Sequence, residues 1–452
     1  MEFVEKLESF ILSKIMRYKM PGLSIAIMSS GELVYAKGFG FRDLEYSQPA
    51  TPQTSYCVGS VTKAFTAAAI MQLVERGLVS LEDPVSRYVD VIKSPEVEIS
   101  HLLTHTSGIP ALGYAEALIE SFYKLRTDLL LPIAKPDDVL SFMRDYAEYP
   151  HFKPGERWFY LNEGYVILGK IIEKVTGVNY EEYVRREICN ELGMVKCYFT
   201  REEYSRDQDK ATPYYVSQDG GLVRAEPIFG VSADGGLYTS PLDLVKFAYM
   251  LADRGVWGGK RVLSAKSVEL METPHVKLPY ESPTSRYYGY GLIIHDEFAG
   301  RYKLVGHSGS VYVYTAYMGY LPERKVAVAI ASNISGYPLS LIGAYALALV
   351  AGVKEEALKF LVVDRVVERV EGLYSGYKDT VRLRVRRAGD TLILEDVTTR
   401  RPPTPLVLEH VDENYAKFYI ATLYTKIPVE FYIEKDRVLM IYERYLLVKR
   451  AT

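Results

Sequence analysis

The stretch "GSVTKAFTAAAIM", residues 59–71, places Ser60 three residues before Lys63 at the start of an apolar, alanine-rich segment. Side chains three apart share one face of a helix, so the lysine amine can lie beside the serine hydroxyl. Such a pair can be a nucleophile beside a base, provided that desolvation or a neighbouring cation makes the amine neutral. The start of the helix also supplies backbone N–H groups that stabilise developing negative charge.

A simpler interpretation is that the serine caps the helix and the lysine extends to water. Two other pairs, Ser121/Lys124 and Ser375/Lys378, have the same spacing. The spacing alone therefore does not identify a site, and other motifs in the sequence are needed to decide which of the three pairs is functional.

Length and composition limit the kind of protein this can be. The 452 residues are too many for one ordinary core, so we expect two domains or one large domain with an appendage. Apolar residues make up 48% and charged residues 25%, which is typical of a folded soluble protein. The formal net charge of −3 gives no electrostatic reason to expect nucleic acid or a membrane as partner.

The sequence shows no signal for export and no metal motif. Residues 1–20 lack the apolar run of a secretion signal, which favours a cytoplasmic protein. The most apolar stretch, 338–353, is shorter than the ~20 residues of a membrane helix and is expected to be a buried helix. Cysteine and histidine spacings match no common metal site, so we expect no metal or cofactor. Asn and Gln occur five times each, which indicates a heat-adapted source.

Periodicity predicts the architecture of the larger, N-terminal part. A helix over 2–18 precedes two β-rich runs in 23–40 around Ser-Ser-Gly, a hairpin signal. Residues 80–255 are mostly helical, and three or four strands are expected in 288–333 before a long apolar helix. Strands at both ends with helices between them predict an α/β (α+β) fold with one antiparallel sheet, flanking helices and a helical subdomain.

The C-terminal part has a different pattern. From about residue 380, six short runs of alternating apolar and polar residues follow one another, as in a meander or small barrel. We therefore expect a first domain of 1–355, a linker of 356–365 and an all-β domain of 366–452.

Two further motifs accompany the opening pair. Tyr160-x-Asn162 is the only Tyr-x-Asn in the chain and lies just before a predicted helix. "GHSGS", residues 306–310, lies on a predicted strand of the returning sheet. The other two Ser-x-x-Lys pairs have no such companions, so the pair at residue 60 is preferred.

In this order, the motifs resemble the serine β-lactamase-like superfamily, in particular its branch of class C β-lactamases, DD-peptidases, esterases and CubicO-type hydrolases. The similarity extends from residue 20 to about 350. It includes four supporting stretches: HLLTHTSGIP (101–110), FKPGERWFY (152–160), ELGM (191–194) and ADGGLYTSPLDLVKF (233–247). The resemblance implies a β-lactamase/transpeptidase-like domain, and the C-terminal barrel resembles the lipocalin-like domains attached to some relatives.

The resemblance also implies roles for individual residues. Ser60 would be the acylated nucleophile, and Lys63 and Tyr160 would share proton transfer. The main-chain N–H groups of Ser60 and Ser310 would form the oxyanion hole. The catalytic set is completed by His307, and the residues expected to contact substrate are Asn162, Ser308, Gly309 and Ser310.

One departure from the family pattern bears on the substrate. Many β-lactamases have Lys-Thr-Gly where this chain has His307-Ser308-Gly309, so a fixed positive charge is lost and β-lactam hydrolysis is not expected. Two other interpretations are not favoured: a catalytic role for two further histidines, and the nucleophile elbow of the α/β-hydrolases. His101 and His105 lie in what we interpret as a buried structural turn, and "GHSGS" lacks the last glycine of the Gly-x-Ser-x-Gly elbow.

The resemblance implies a serine hydrolase that acts through an acyl-enzyme. The expected activity is that of a penicillin-binding-protein-like peptidase on small peptides or amides. A carboxylesterase of the same architecture is the first alternative, and a weakly acylating penicillin-binding-type binding protein is the second. A pure binder has no need of an intact serine, lysine and tyrosine. The number of subunits stays open, with a homo-oligomer as one possibility.

Overall fold

The computed structural model describes residues 2–123, 133–149, 151–217, 219–280, 285–388, 391–397 and 402–450. Lys124, from one of the pairs set aside above, lies outside these ranges. The chain divides into two compact units, Met1–Val353 and Lys354–Thr452. None of the described helices combines the length and the apolar character needed to cross a membrane.

The first unit is built from a large sheet and surrounding helices. Its described helices are Glu2–Tyr18 (α1), Thr62–Glu75 (α2), Ile99–Leu103 (α3), Tyr114–Phe122 (α4), Pro136–Phe142 (α5), Asn162–Thr176 (α6), Tyr180–Val184 (α7), Arg201–Arg206 (α8), Pro241–Ala252 (α9), Ala265–Met271 (α10) and Leu339–Val350 (α11). Its described strands are Gly22–Ser29 (β1), Glu32–Asp43 (β2), Gln48–Pro49 (β3), Tyr56–Cys57 (β4), Tyr214–Val216 (β5), Leu222–Arg224 (β6), Tyr238–Thr239 (β7), Val256–Trp257 (β8), Lys260–Arg261 (β9), Val276–Lys277 (β10), Arg286–Tyr288 (β11), Ile293–Phe298 (β12), Tyr302–Ser310 (β13), Thr315–Leu321 (β14) and Val326–Ser332 (β15).

The main sheet joins strands from both ends of this unit. Over the described residues it has nine strands in the order β10-β11-β12-β13-β14-β15-β1-β2-β3. β1 pairs antiparallel with β15, so the N-terminal hairpin completes the sheet formed by the later strands, as the sequence predicts. The predicted buried helix near residue 340 is α11, and the three or four strands expected in 288–333 are the four strands β12 to β15, with β11 ending at Tyr288.

A disulfide joins Cys189 to Cys197 in the helical part of this unit. The sequence alone does not predict this pairing, because the spacing of the two cysteines matches no common motif. Cys57 is free and buried, which is the behaviour expected of a small apolar residue.

The second unit is a closed barrel with one helix among its described residues. That helix is Lys359–Val370 (α12), and the strands are Gly372–Ser375 (β16), Arg382–Ala388 (β17), Thr391–Asp396 (β18), Thr404–Val411 (β19), Tyr415–Ala421 (β20), Lys426–Ile433 (β21), Val438–Tyr442 (β22) and Tyr445–Lys449 (β23). β16 pairs with β23 and closes the barrel of eight described strands. Val366, Val367 and Val370 of α12 belong to the same apolar core as the inward side chains of the barrel.

Candidate active site

The helix that carries Lys63 lies inside the first unit. α2 is apolar on every face, and its residues from Thr62 to Leu73 are all buried. A helix of this kind packs on all sides in a core, and Lys63 accordingly has no exposed surface. Ser60 comes one turn earlier, in the 3-10 turn Gly59–Val61, and is only half-buried. The serine can therefore meet a substrate while the lysine is shielded from water.

Lys63 has a partner for each of the three hydrogens of an ammonium group. Its Nζ lies 3.2 Å from Ser60 Oγ, 2.8 Å from Asn162 Oδ1 and 2.6 Å from the main-chain oxygen of Asp234. Amide and carbonyl oxygens only accept hydrogen bonds, whereas a hydroxyl can also donate. A neutral amine therefore keeps its two acceptors and receives the serine hydrogen on its lone pair. This geometry fits removal of the proton from Ser60.

The Tyr-x-Asn motif reaches the same place from the start of α6. Asn162 is the first residue of α6, and its side chain points its oxygen at Lys63. The ring centroid of Tyr160 lies 4.9 Å from the Lys63 Nζ. Over the described residues, no hydrogen bond joins the Tyr160 hydroxyl to Ser60 or Lys63. Tyr160 therefore lies beside Ser60 and Lys63 with the face of its ring, and not its hydroxyl, towards the lysine amine.

The end of β13 lies directly against the Ser60 turn. A Cβ atom built on Gly309 would lie 2.8 Å from the main-chain nitrogen of Ser60 and would overlap the Val58 carbonyl oxygen. A Cβ atom built on Gly59 would lie 2.8 Å from the main-chain nitrogen of Ser310, and Gly59 has φ +52°. Only glycine allows this approach at both positions. The N–H groups of Ser60 and Ser310 consequently lie near each other, beside the Ser60 hydroxyl.

A directed chain of hydrogen bonds runs through three buried rings next to this site. The main-chain N–H of Leu161 donates to His105 Nδ1 at 3.0 Å, so neutral His105 donates from Nε2 to the Tyr288 hydroxyl at 3.2 Å. Tyr288 in turn donates to His307 Nε2 at 3.0 Å, and His307 Nδ1 donates to the Ser308 carbonyl at 2.6 Å. Every nitrogen of the two imidazoles is engaged, and the chain assigns one tautomer to each.

Burial keeps both imidazoles neutral. It lowers the pKa of His307 to about 3, and the positive charge of Lys63 acts in the same direction. The pKa of His105 lies well below its usual value, because of burial first and of the nearby Lys63 and His307 second. The predicted loss of a fixed charge at position 307 is therefore complete at any working pH.

Two residues of this site were not selected from the sequence. The sequence predicts a structural turn at His105, and the residue does lie in one, with a left-handed φ of +61°. The same ring also packs on Tyr160, with centroids 4.3 Å apart. Asp234 contacts Lys63 from 171 positions away. The adjacent glycines indicate a tight segment there, but no local pattern indicates which residue it meets.

The chemistry available at this site is that of a hydroxyl, an amine and main-chain N–H groups. In the described ranges, no group of three or more His, Cys, Asp or Glu side chains could hold a metal ion. Cys57 lies close by, but burial raises the pKa of its thiol to about 12 and keeps it protonated.

Comparison with known proteins identifies relatives for both units. The sequence profile of the Beta-lactamase family matches residues 6–352, and that of the Pab87 octamerisation domain matches residues 354–448. The solved structure of the octameric penicillin-binding protein homologue from Pyrococcus abyssi is 46% identical, with a TM-score of 0.92 over 99% of this chain and 100% of that one.

Two more distant relatives match a smaller share of the chain. The penicillin binding protein from Bacillus halodurans is 27% identical, with a TM-score of 0.62 over 75% of this chain and 98% of that one. Protein flp of Staphylococcus aureus (strain COL) is 26% identical over 342 residues, which are 73% of this chain and 63% of flp. The match thus spans less than two thirds of flp.

The family profile covers most of the chain, and the structure has the corresponding sheet and helices with a serine and a lysine at their centre. The chain therefore belongs to the beta-lactamase family and has its serine hydrolase fold in the first unit.

Proposed function

We propose that the chain is a serine hydrolase that acts through an acyl-enzyme on Ser60, and that its substrates are small peptides or amides. The observation that carries the proposal is the set of contacts of Lys63. Of its three partners, only the Ser60 hydroxyl can return a hydrogen to the amine, which supports Lys63 as the base for that hydroxyl.

The reaction follows from this placement. Ser60 Oγ attacks the substrate carbonyl carbon while its proton passes to Lys63 Nζ. The N–H groups of Ser60 and Ser310 stabilise the oxygen anion that forms. The proton then passes to the leaving amine, by way of Tyr160 or directly, and water hydrolyses the acyl-enzyme by the reverse sequence. Asn162 keeps the base oriented throughout.

In this proposal His307 holds the site in shape and transfers no proton during the reaction. Its two nitrogens are engaged by Tyr288 and by the Ser308 carbonyl, and its pKa of about 3 leaves it neutral. A β-lactam carboxylate finds no charge there. We therefore expect β-lactams to be poor substrates relative to neutral peptides.

An open strand edge favours peptides over simple esters. Over the described residues, β12 pairs with β13 only as far as Gly306, while His307–Ser310 pair on their other side with β14. The last four residues of β13 therefore have a free edge beside Ser60, and Ser308 and Ser310 are exposed. An extended peptide can add to such an edge by main-chain hydrogen bonds, which a small ester cannot do.

The test is a substrate panel that separates peptides from esters. It contains amides of L- and D-peptides of increasing length, p-nitrophenyl esters with matched acyl groups and a chromogenic cephalosporin. We expect kcat/KM for the amides to rise with peptide length, because remote contacts stabilise the transition state, and the cephalosporin to react slowly. Turnover of esters with no turnover of any amide would instead favour the carboxylesterase. Acylation without turnover would favour the binding protein.

We also propose that copies of this chain assemble into a homo-oligomer through the second unit. The match to an octamerisation domain and the 46% identical homologue, which is octameric, support this. The turn between β20 and β21 offers a contact: Leu423 and Tyr424 are each 92% exposed. Hydrogen bonds between Thr422 and Thr425 hold the turn in place. Burial of two such side chains would release about 2 kcal/mol each.

Light scattering after size-exclusion chromatography tests the assembly. We expect the wild type to elute as a multiple of the chain mass and the double variant Leu423→Ser/Tyr424→Ser to elute as a smaller species. Val195→Ser is the control, because Val195 is 82% exposed in the first unit and should leave the assembly intact. A monomeric wild type would contradict the assembly, and an unchanged double variant would remove this turn from the interface.

A further inference from the structure

Two buried acidic residues lie beside the groups that hold Lys63, and the mechanism above uses neither side chain. Asp234 is 6% exposed and Glu163 is 1% exposed. The main-chain oxygen of Asp234 accepts from Lys63, and Glu163 follows Asn162, which accepts from Lys63 as well. A buried carboxyl group is unfavourable without compensation, so its presence next to a base needs a physical account.

One residue holds both of these carboxyl groups. The hydroxyl of Tyr114 donates to Asp234 Oδ2 at 2.5 Å, and the main-chain N–H of Tyr114 donates to Glu163 Oε1 at 3.3 Å. Tyr114 is 1% exposed and begins α4. The carboxyl group of Asp234 is therefore fixed in place by a short hydrogen bond from a side chain that water does not reach.

Charges around Asp234 act in opposite directions. On balance the pKa of Asp234 lies above its ordinary value, because burial raises it most and the charge of Glu116 adds to that, while Lys63 and the hydrogen bond from Tyr114 favour the ionised form. The other titratable groups in electrostatic contact with it are Glu163, Cys57 and Tyr180. Lys63 is the cation among these groups, so the main charge interaction of an ionised Asp234 is with the base.

We propose that Asp234 is a positioning residue that acts through Lys63: its carboxylate, fixed by Tyr114, stabilises the lysine ammonium and so sets the lower pH limit of acylation. This inference rests on the proposed function of Ser60 and Lys63. When the Ser60 oxygen bonds to the substrate carbon, the serine proton moves to Lys63 Nζ and creates a positive charge. Asp234 stabilises that charge without accepting the proton.

Two variants test the inference through the pH dependence of acylation. Asp234→Asn removes the negative charge and keeps the shape. Its acidic limb should move to lower pH, because the neutral amine is favoured, and its plateau rate should fall, because the new ammonium is less stabilised. Tyr114→Phe removes a hydrogen bond that favours the ionised form of Asp234. It should shift the acidic limb in the same direction and approach the wild-type rate at alkaline pH.

The measurement is the rate of covalent labelling by a small neutral fluorophosphonate, followed by intact mass from about pH 5 to about pH 10. Tyr183→Phe is the matched control, because this buried tyrosine donates to Gln72 instead of a carboxyl group and should keep the wild-type profile. Profiles of Asp234→Asn and Tyr114→Phe that superimpose on the wild type would overturn the inference. A wild type that is not labelled at any pH would instead contradict the proposed function itself.

Discussion

The burial and the hydrogen-bond partners of Lys63 are the main evidence for its chemical role. A lysine with no exposed surface is rare in proteins, because moving an amine out of water is unfavourable unless its hydrogens have partners. Here the partners come from three separate segments of the chain. A structural lysine would not need the nucleophile candidate among them, whereas a base does.

Replacing Lys63 by arginine separates these two roles. Arginine keeps the positive charge but does not lose its proton, so we expect acylation to slow by roughly 10²-fold or more. The labelling rate at mildly alkaline pH measures this, with thermal unfolding as the check that the variant folds. A folded Lys63→Arg protein with a nearly normal rate would mean that Lys63 serves only as a cation.

Glu163 should make the stability of the protein depend on pH. Burial raises the pKa of Glu163 to about 7 from an ordinary value of 4.5. A carboxyl group with a raised pKa stabilises the fold fully below pH 4.5, and this contribution is lost as the pH rises towards 7. The shift corresponds to on the order of 3 kcal/mol. Glu163→Gln should therefore be more stable than the wild type at about pH 8 by up to that amount, relative to the difference at about pH 4.

Guanidinium unfolding of both proteins at the two pH values measures this difference. Glu96→Gln, at an exposed position, is the control and should show no such dependence. Equal stability differences under acidic and alkaline conditions would show that Glu163 does not carry the effect.

The sequence motifs named residues that the structure brings together, and they did not name two residues that contact them. The structure brings Ser60, Lys63 and Asn162 within hydrogen-bonding distance, although the last lies 99 positions from Lys63. His105 and Asp234 could not be predicted in the same way. Their effects come from contacts across the fold, with Tyr288 and Lys63, and nothing in their local sequence names those partners.

Among the elements, the contact between β13 and the turn before α2 decides the geometry of the site. Gly309→Ala should displace the end of β13, because the new methyl group would overlap the Val58 carbonyl oxygen. Loss of one oxyanion donor slows acylation by roughly 10²–10³-fold, and we expect a decrease of that size. The labelling rate measures it. Gly336→Ala, at a glycine with no atom within 4 Å of the added carbon, should label normally.

A folded Gly309→Ala protein with the wild-type rate would contradict the close approach of the two segments.

The helices and strands themselves were well predicted where the apolar periodicity was long. α1 has the predicted bounds, while α2 begins at Thr62, two residues after Ser60, because the positive φ of Gly59 places a 3-10 turn before it. Such a turn has no signature in apolar periodicity.

At the scale of the whole chain, every residue of the proposed site lies in the unit Met1–Val353. A protein ending at residue 353 should therefore be labelled by the fluorophosphonate at a rate of the same order as the full chain, even if it no longer assembles. Circular dichroism is the control for folding. A well-folded truncated protein that forms no adduct would mean that the second unit supplies part of the site.

In the second unit, alternating apolar and polar residues predicted the barrel but not the number of its strands. Six runs predicted a meander or small barrel, and eight described strands form a closed one. The last run contains both β22 and β23, because Glu443 with φ +51° makes a tight turn inside it. The short strand β16 carries too few residues to show alternation, although its pairing with β23 closes the barrel.

Covalent labelling determines whether Ser60 is the nucleophile. Wild type, Ser60→Ala, Ser121→Ala and Ser375→Ala are treated with an active-site fluorophosphonate, and the intact mass of each is measured. The last two remove the serines of the other Ser-x-x-Lys pairs. We predict one adduct on the wild type and on both controls, and none on Ser60→Ala. An adduct that persists on Ser60→Ala, mapped to another serine, would mean that Ser60 is not the nucleophile.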